Sequence, residues 1–339
     1  MKRWQVRPDG ARRDLIQLEA ETPEPGPGEA RVQVHAVSLN FRDHLLVTGR
    51  YPLASDDPIV PLSDGAGVVS AVGSGVTRVK TGDRVTATTL PNWIDGSFDP
   101  EMRAQMIGFA VDGWLTEERV IPETALVPIP DTISFAAAAT LPCAGVTAWN
   151  AVVEAGRVGP GDWVLAQGTG GVSMFAVQLA AMIGGRSIIT SSSDDKLTRA
   201  RDLGADHGIN YVTTPDWEVA ARDLTGGTGV HLVIENTGAV RQSIEATRWG
   251  GLVAIIGALA SFGEPGDTPD NRLPSLLRSG VTIAPIMMGN RRMLTQMVTA
   301  YATRGINPVI DATFSFDDAP AAFDALAAAK HMGKIVITR

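Results

Sequence analysis

The sequence predicts an α/β protein: a doubly wound parallel sheet joined to a smaller β-rich domain. Three observations predict it. The first third consists of short β-branched runs broken by glycine, as in GAGVVSAVGSGVTRVKTGDRVTA, which is the pattern of a small barrel with tight turns. From about Ser134 onward, apolar strand-like runs alternate with helical repeats, the arrangement of a parallel sheet covered on both faces. Between one such strand and its helix stands QGTGGVS, with glycine at three of the four positions 168–171.

The elements follow in order. EPGPGEA is a turn cluster, and ARVQVHAVSL after it alternates apolar and polar residues as a half-buried strand does. TLPNWIDGSFDPEMRAQMIG is polar and broken by Pro and Gly, and reads as a loop. FAAAATLPCAGVTAWNAVVEA is Ala-rich and helical. Strand and helix then alternate: WVLAQ and the helix after the glycines, RSIIT and KLTRARDLGA, VHLVIEN and RQSIEATRW, then GLVAIIG. The tail carries a short amphipathic helix, DDAPAAFDALAAAK, and a last strand, KIVIT. Beyond the βα alternation there is no repeat and no low-complexity linker.

Composition bounds the function. The 339 residues suffice for two domains with their own cores. A net charge of −8 argues against nucleic acid or an anionic membrane as the main partner. No apolar run is long enough to span a bilayer. The basic N-terminus, MKRWQVRPDGARR, lacks the apolar core of a secretory signal. A single cysteine, Cys143, excludes an internal disulfide and fits a reducing compartment. These features together predict a cytoplasmic protein.

A strand-to-helix turn so bare of side chains suits a dinucleotide. The first glycine makes the turn, the second lets backbone N–H groups approach a pyrophosphate, and the helix N-terminus faces its charge. Gly168 and Gly170 fill these positions, Gly171 widens the approach, and the small Ser173 stands at the third. About 20 residues on, an NAD site usually places a carboxylate for the ribose 2′-hydroxyl. Here the strand RSIIT ends in SSSDDK. Ser191, Ser192 and Ser193 occupy that place and Lys196 follows, groups able to bind a 2′-phosphate. The alternative is that the serines only cap the next helix, where Asp194 and Asp195 would also be favoured. The reading adopted is NADP(H) over NAD.

With SLNFRDHLLVTGRYP, PLSDGAGVVSAVGSGVTRVKTGDRV, ATLPCAGVTAWNAV, GADHGINY and GKIVI, the chain resembles the medium-chain dehydrogenase/reductase superfamily over essentially its whole length. It is most similar to the zinc-free branch of quinone oxidoreductases and enoyl reductases. The resemblance implies a GroES-like β-barrel domain, residues 1–127 and 306–339, and a Rossmann domain, residues 128–305. It further implies a small-molecule substrate held between them, and a homodimer joined through the sheet edge near VTIAPI. Zinc members use a Cys, a His and a later Cys; the matching positions here are Asn40, Ser63 and Cys143. Only the last is a competent ligand, while a catalytic zinc needs three. His35, His44, His207, His231 and His331 show no paired spacing. The expectation is therefore no metal.

Reducing an isolated ketone puts charge on one oxygen, where a metal helps. Reducing the C=C bond of an enone or quinone spreads charge into an enolate or phenolate, for which hydrogen-bond donors can suffice. The resemblance assigns Tyr51 as proton donor, with a loop aromatic that only shapes the cleft as the alternative. Asn40 would supply an amide donor, and Asp43 would orient it or hold the barrel loop. Trp93 would stack on a flat substrate or merely pack the loop, and Phe98 would line the pocket beside it. Cofactor contacts carry over to Thr147, Gly168, Gly170, Gly171, Val172, Ser191, Ser192, Lys196, Tyr211, Thr237, Gly238, Gly257, Ala258 and Lys334, the last facing the pyrophosphate. Glu235 and Asn236 receive no role. The leading expectation is an NADPH-dependent reductase of activated C=C bonds. The alternatives are a metal-free NADP(H)-dependent alcohol dehydrogenase or carbonyl reductase, and a nucleotide-binding redox sensor or structural protein with little turnover.

Overall fold

β3 (Glu29–Ser38) organises the first unit, its inward side chains Ala30, Val32, Val34 and Ala36 buried in alternation with more exposed neighbours. The computed structural model describes residues 1–9, 12–50, 57–257 and 279–339. They pack into two units: Met1–Val146 with Gly289–Arg339, and Thr147–Met288.

In the first unit β1 (Lys2–Asp9) and β2 (Arg12–Glu19) form an antiparallel hairpin. The remaining strands are β4 (Asp64–Val72), β5 (Arg84–Ala87), β6 (Glu118–Pro122), β7 (Leu126–Pro128), β14 (Ile310–Ser315) and β15 (Lys334–Thr338). They form one sheet in the order β14-β15-β3-β4-β5-β7, with β6 also pairing β3. Val32, Val69, Val85, Trp114, Ile121 and Ile337 meet in its core. Helix α1 (Phe41–Val47) leaves β3 directly, and α2 (Phe135–Ala139) starts at Ser134, whose hydroxyl accepts the Ala137 N–H at 3.1 Å. The helical run continues through wider turns on either side of α3 (Val146–Trp149).

In the second unit β8 (Trp163–Gln167), β9 (Arg186–Ser191), β10 (His207–Asn210), β11 (Val230–Glu235), β12 (Thr247–Ile255) and β13 (Thr282–Pro285) form a wholly parallel sheet in the order β10-β9-β8-β11-β12-β13. The helices are α4 (Gly171–Ile183), α5 (Asp194–Asp202), α6 (Trp217–Leu224) and α7 (Val240–Ala246). This is the doubly wound sheet expected. Strand order reverses between β8 and β11, and ligands of such sheets bind at the carboxyl ends beside that reversal.

Three local differences from the sequence reading have physical causes. Thr247, Arg248 and Trp249 begin β12 instead of ending a helix, because Thr247 pairs with Val230 across the ladder. The N-terminal hairpin has its charges clustered at Lys2–Arg3 and Arg12–Asp14, so its short apolar stretches show no clear strand period. The segment 289–305 packs with the first unit: Asn290 caps α8 (Arg291–Arg304), and the Arg291 N–H donates to the Trp93 carbonyl at 2.9 Å. The compact units divide after Val146 and after Met288. The last helix, α9 (Ala319–Ala327), and the strand β15 stand where the sequence placed them.

Candidate active site

Three strand ends converge in the first unit. Ser38, closing β3, pairs with Asp64 of β4 on one side and Val336 of β15 on the other. That register brings Asn40, Asp64 and Lys334 together from distant parts of the chain. The Lys334 ammonium donates to the Leu39 carbonyl at 2.5 Å and to Asn40 Oδ1 at 2.6 Å, and lies 3.9 Å from Asp64 Oδ2. Asn40 Nδ2 donates to Asp64 Oδ2 at 3.0 Å, and the Ser63 hydroxyl to Asp64 Oδ1 at 2.8 Å. Asp43, in the first turn of α1, accepts the Asn40 backbone N–H at 2.7 Å. Asp43, Ser63, Asp64 and Lys334 are buried, whereas Asn40 keeps part of its surface.

Burial sets the protonation of this cluster. It lifts the Asp43 carboxyl to about 6, against the pull of Arg42, the Asn40 N–H and Lys334. It draws the Lys334 ammonium below its ordinary value, opposed by Asp64, Cys143 and Asp43. It pushes the nearby Cys143 thiol up to about 12, with Asp64 adding to the rise. Asn40 lies between Lys334 Nζ, which donates to its oxygen, and the Asp64 carboxyl, which accepts from its nitrogen.

The second constellation lies at the carboxyl ends of β8 and β11. Gly168 adopts φ +72, a turn only glycine makes without strain, and a Cβ on Gly168 or Gly170 would meet nothing within 4 Å. α4 starts at Gly170 with no side-chain cap, so its first N–H groups remain available to an anion. This open, uncapped turn fits a pyrophosphate. Beneath it lies a dense polar network. The buried Glu235 carboxylate accepts Gln167 Nε2 at 2.9 Å, the backbone N–H groups of Thr237 at 2.8 Å and Gly238 at 2.7 Å, and the Ser243 hydroxyl. Gln167 Oε1 accepts the Asn236 N–H at 3.1 Å and the Thr237 hydroxyl at 2.8 Å. Ser173, at the third fingerprint position, donates to the Gln167 carbonyl at 2.7 Å and accepts Asn236 Nδ2 at 3.1 Å. Gly257 approaches so closely that a Cβ there would lie 2.3 Å from the Asn236 carbonyl.

At the end of β9 the Ser191 hydroxyl is buried and accepts the Ser193 N–H at 3.2 Å, while Ser193 caps α5 through the Lys196 N–H at 3.3 Å. Ser192 is exposed, and Lys196 lies partly exposed one turn on. Asp194 accepts Asn210 Nδ2 at 2.8 Å. The Tyr211 N–H donates to the Ser191 carbonyl at 3.1 Å, and its side chain is 42% exposed. Ser191, Ser192 and Tyr211 thus stand together.

Set beside the sequence expectations, the placements differ for several residues. Tyr51 and Ala258 lie outside the described residues. Lys334 is buried on Leu39 and Asn40, so its ammonium has no exposed face for a pyrophosphate. Trp93 is buried as well; its indole N–H donates to the Gly96 carbonyl at 3.0 Å and its ring meets Phe98 edge-on, 5.2 Å between centroids. It packs its own loop and presents no face for stacking, while Phe98 remains partly exposed. The Thr237 hydroxyl points into the network, and Thr147 is buried. Gln167, Glu235, Asn236, Ser243 and Asp64 were missed by the sequence reading. Their signal is polar side chains at the ends of apolar strands, where burial demands partners.

Comparisons with known proteins agree with this architecture. Residues 26–131 match the family described as alcohol dehydrogenase GroES-like domain, and residues 171–303 the family described as zinc-binding dehydrogenase. A zinc-type alcohol dehydrogenase-like protein of Schizosaccharomyces pombe is 40% identical, covering 94% of this chain and 93% of its own. A solved NAD-dependent alcohol dehydrogenase is 34% identical with a TM-score of 0.88, covering 100% of both chains. A quinone oxidoreductase of Pseudomonas syringae is 29% identical with a TM-score of 0.81, covering 100% of this chain and 99% of its own.

Zinc, named in two of these descriptions, does not suit the residues present. Asn40 Oδ1 is taken by Lys334 Nζ and the Ser63 hydroxyl is spent on Asp64, which leaves Cys143 as the one competent ligand of the three matching positions where a catalytic zinc needs three. Among the described residues no group of three His, Cys, Asp or Glu could hold a metal ion.

Proposed function

Because the chain belongs to the medium-chain dehydrogenase/reductase superfamily, an oxidoreductase family of alcohol dehydrogenase-like and quinone oxidoreductase-like members, we propose that it is an NADPH-dependent, metal-free reductase of activated C=C bonds. The observation that carries this reading is the ammonium of Lys334 on Asn40, at the position where zinc members place a ligand. A site that offers donors and a buried cation in place of a Lewis acid suits an acceptor whose charge is delocalised.

When bound, the reduced nicotinamide supplies a hydride to the β-carbon of an enone, enal or quinone. The α-carbon or second oxygen takes a proton, for which Tyr51 is the proposed donor. The amide of the partly exposed Asn40 is the proposed donor to the acceptor oxygen, and the backbone N–H groups of Gly171 and Val172 are the proposed contacts of the pyrophosphate. Three features support the phosphorylated coenzyme: no carboxylate ends β9, Ser192 is exposed there, and Asp194 is engaged by Asn210. A homodimer through the edge of β13 belongs to the same proposal, since among the described residues that strand pairs only with β12.

The test is direct. The purified protein is given NADPH and 2-cyclohexenone, and the product is identified. Cyclohexanone with no bound zinc supports the reading. Cyclohexenol would favour a carbonyl reductase, as the alcohol dehydrogenase relatives suggest. Stoichiometric zinc or a preference for NADH would overturn the metal and coenzyme assignments, and sedimentation mass reports the dimer.

A further inference from the structure

We propose that Lys334 is a positioning residue for the acceptor: it fixes the Asn40 side chain in the orientation that leaves one polarised amide N–H for the acceptor oxygen. This rests on the reductase reading above and adds to it a residue that the family resemblance had assigned elsewhere.

An asparagine amide can ordinarily flip, exchanging its oxygen and nitrogen at little cost. Here it cannot. Lys334 carries only donors and lies 2.6 Å from Oδ1; Asp64 carries only acceptors and lies 3.0 Å from Nδ2. A flipped amide would set N–H against ammonium and oxygen against carboxylate, two repulsions among buried groups. The orientation is therefore fixed by charge. Nδ2 has two hydrogens and one is used by Asp64; among the described residues the other has no partner, and Asn40 keeps part of its surface.

The same contacts polarise the amide. A cation on the carbonyl oxygen draws electron density away from nitrogen, so the remaining N–H is a stronger donor than that of an isolated asparagine. The Asn40 backbone is anchored too, its N–H on Asp43 and its α1 neighbours following at once. Lys334 reaches this point because β15 lies beside β3 in the register that pairs Val336 with Ser38. Its second contact, on the Leu39 carbonyl, holds the ammonium against the strand end itself. A structural ion pair with Asp64 alone would not require the shorter contact to Asn40: the Asp64 oxygen is 3.9 Å away.

The test uses the full-length protein, NADPH and 2-cyclohexenone. Lys334→Met keeps the length of the side chain and removes the donor; Lys334→Met with Asp64→Asn also removes the carboxylate left unpaired, for the case in which the single variant fails to fold. The expected result is a fall in kcat of about 100-fold, the scale of a misplaced catalytic contact, with the KM for NADPH within about 2-fold of wild type. Asn40→Ala should cost as much, and adding Lys334→Met to it should cost little more, because both act through one N–H. A merely structural lysine gives the opposite pattern. Unchanged kcat in a folded Lys334 variant, or losses that multiply in the Asn40→Ala background, would overturn the inference while leaving the reductase reading intact. A wild-type protein that never oxidises NADPH with any enone would overturn the reading and this inference together.

Discussion

Asp43 shows how a single buried side chain makes stability depend on pH. Its carboxyl titrates near 6 in the folded protein against an unfolded value of 3.8, mainly because burial penalises the charge. The folded state thus binds a proton that the unfolded state has released, so this group's contribution falls as pH rises through 4 to 6. Arg42, Asp64 and Lys334 are the charged groups that face it. Asp43→Asn keeps an acceptor for the Asn40 N–H and cannot ionise. Its stability relative to wild type should rise by roughly 2 kcal/mol between pH 4.5 and 7.5, read from urea midpoints; a difference that stays flat would refute the shift. Cys143 offers a second check. Burial pushes its thiol up to about 12, so both limited access and the scarcity of thiolate slow its alkylation. Iodoacetamide at pH 7.5 should leave the native protein unlabelled for hours and modify the urea-unfolded chain quickly.

Two loops at the carboxyl edge of the parallel sheet act as one element because Glu235 and Gln167 tie them together. Glu235 ends β11 and gathers the N–H groups of the next turn; Gln167 ends β8 and receives that turn's Asn236 and Thr237. Glu235→Ala would strand several buried donors at once. A loss of about 3 kcal/mol in stability is expected, with a several-fold rise in the KM for NADPH and little change in that for the enone. Unaltered coenzyme binding would show that the turn holds its shape without the clamp. At the end of β9, Ser192→Asp sets a carboxylate where the 2′-phosphate is proposed to lie, and the kcat/KM ratio of NADPH to NADH should fall at least 10-fold. The strands and helices of this unit were legible because their apolar runs are long and evenly spaced. WVLAQ is β8 to the residue. The clamp was not legible, since VIENTGA says nothing about which strand end it will face until strand order is known. Ser191 was half legible: its position at the strand end followed from spacing, but that its hydroxyl would turn inward to Ser193 did not.

The first unit is closed by the last strand of the chain, β15, and this ties fold and chemistry to the same five residues. Its sheet order, with β15 between β14 and β3, could not be read from KIVIT, which predicts a strand but not its neighbours. Sequence resemblance had therefore sent Lys334 to the coenzyme, whereas the ladder sends it to Asn40. The two functions of β15 can be separated. Deleting residues 334–339 removes an interior strand, strips Ile335, Val336 and Ile337 from the core, and leaves β3 and β14 with unpaired edges. Each lost apolar side chain is worth roughly 1.5–3 kcal/mol of burial, so three of them remove much of the 5–15 kcal/mol that holds a typical domain. The truncated chain should accumulate as aggregate and show no cooperative thermal transition. Lys334→Met with Asp64→Asn keeps the strand and its apolar residues, and should unfold cooperatively while losing turnover. If the truncated chain were instead soluble and cooperative, β15 would not be part of the folding unit, and the register that places Lys334 beside Asn40 would have to be abandoned.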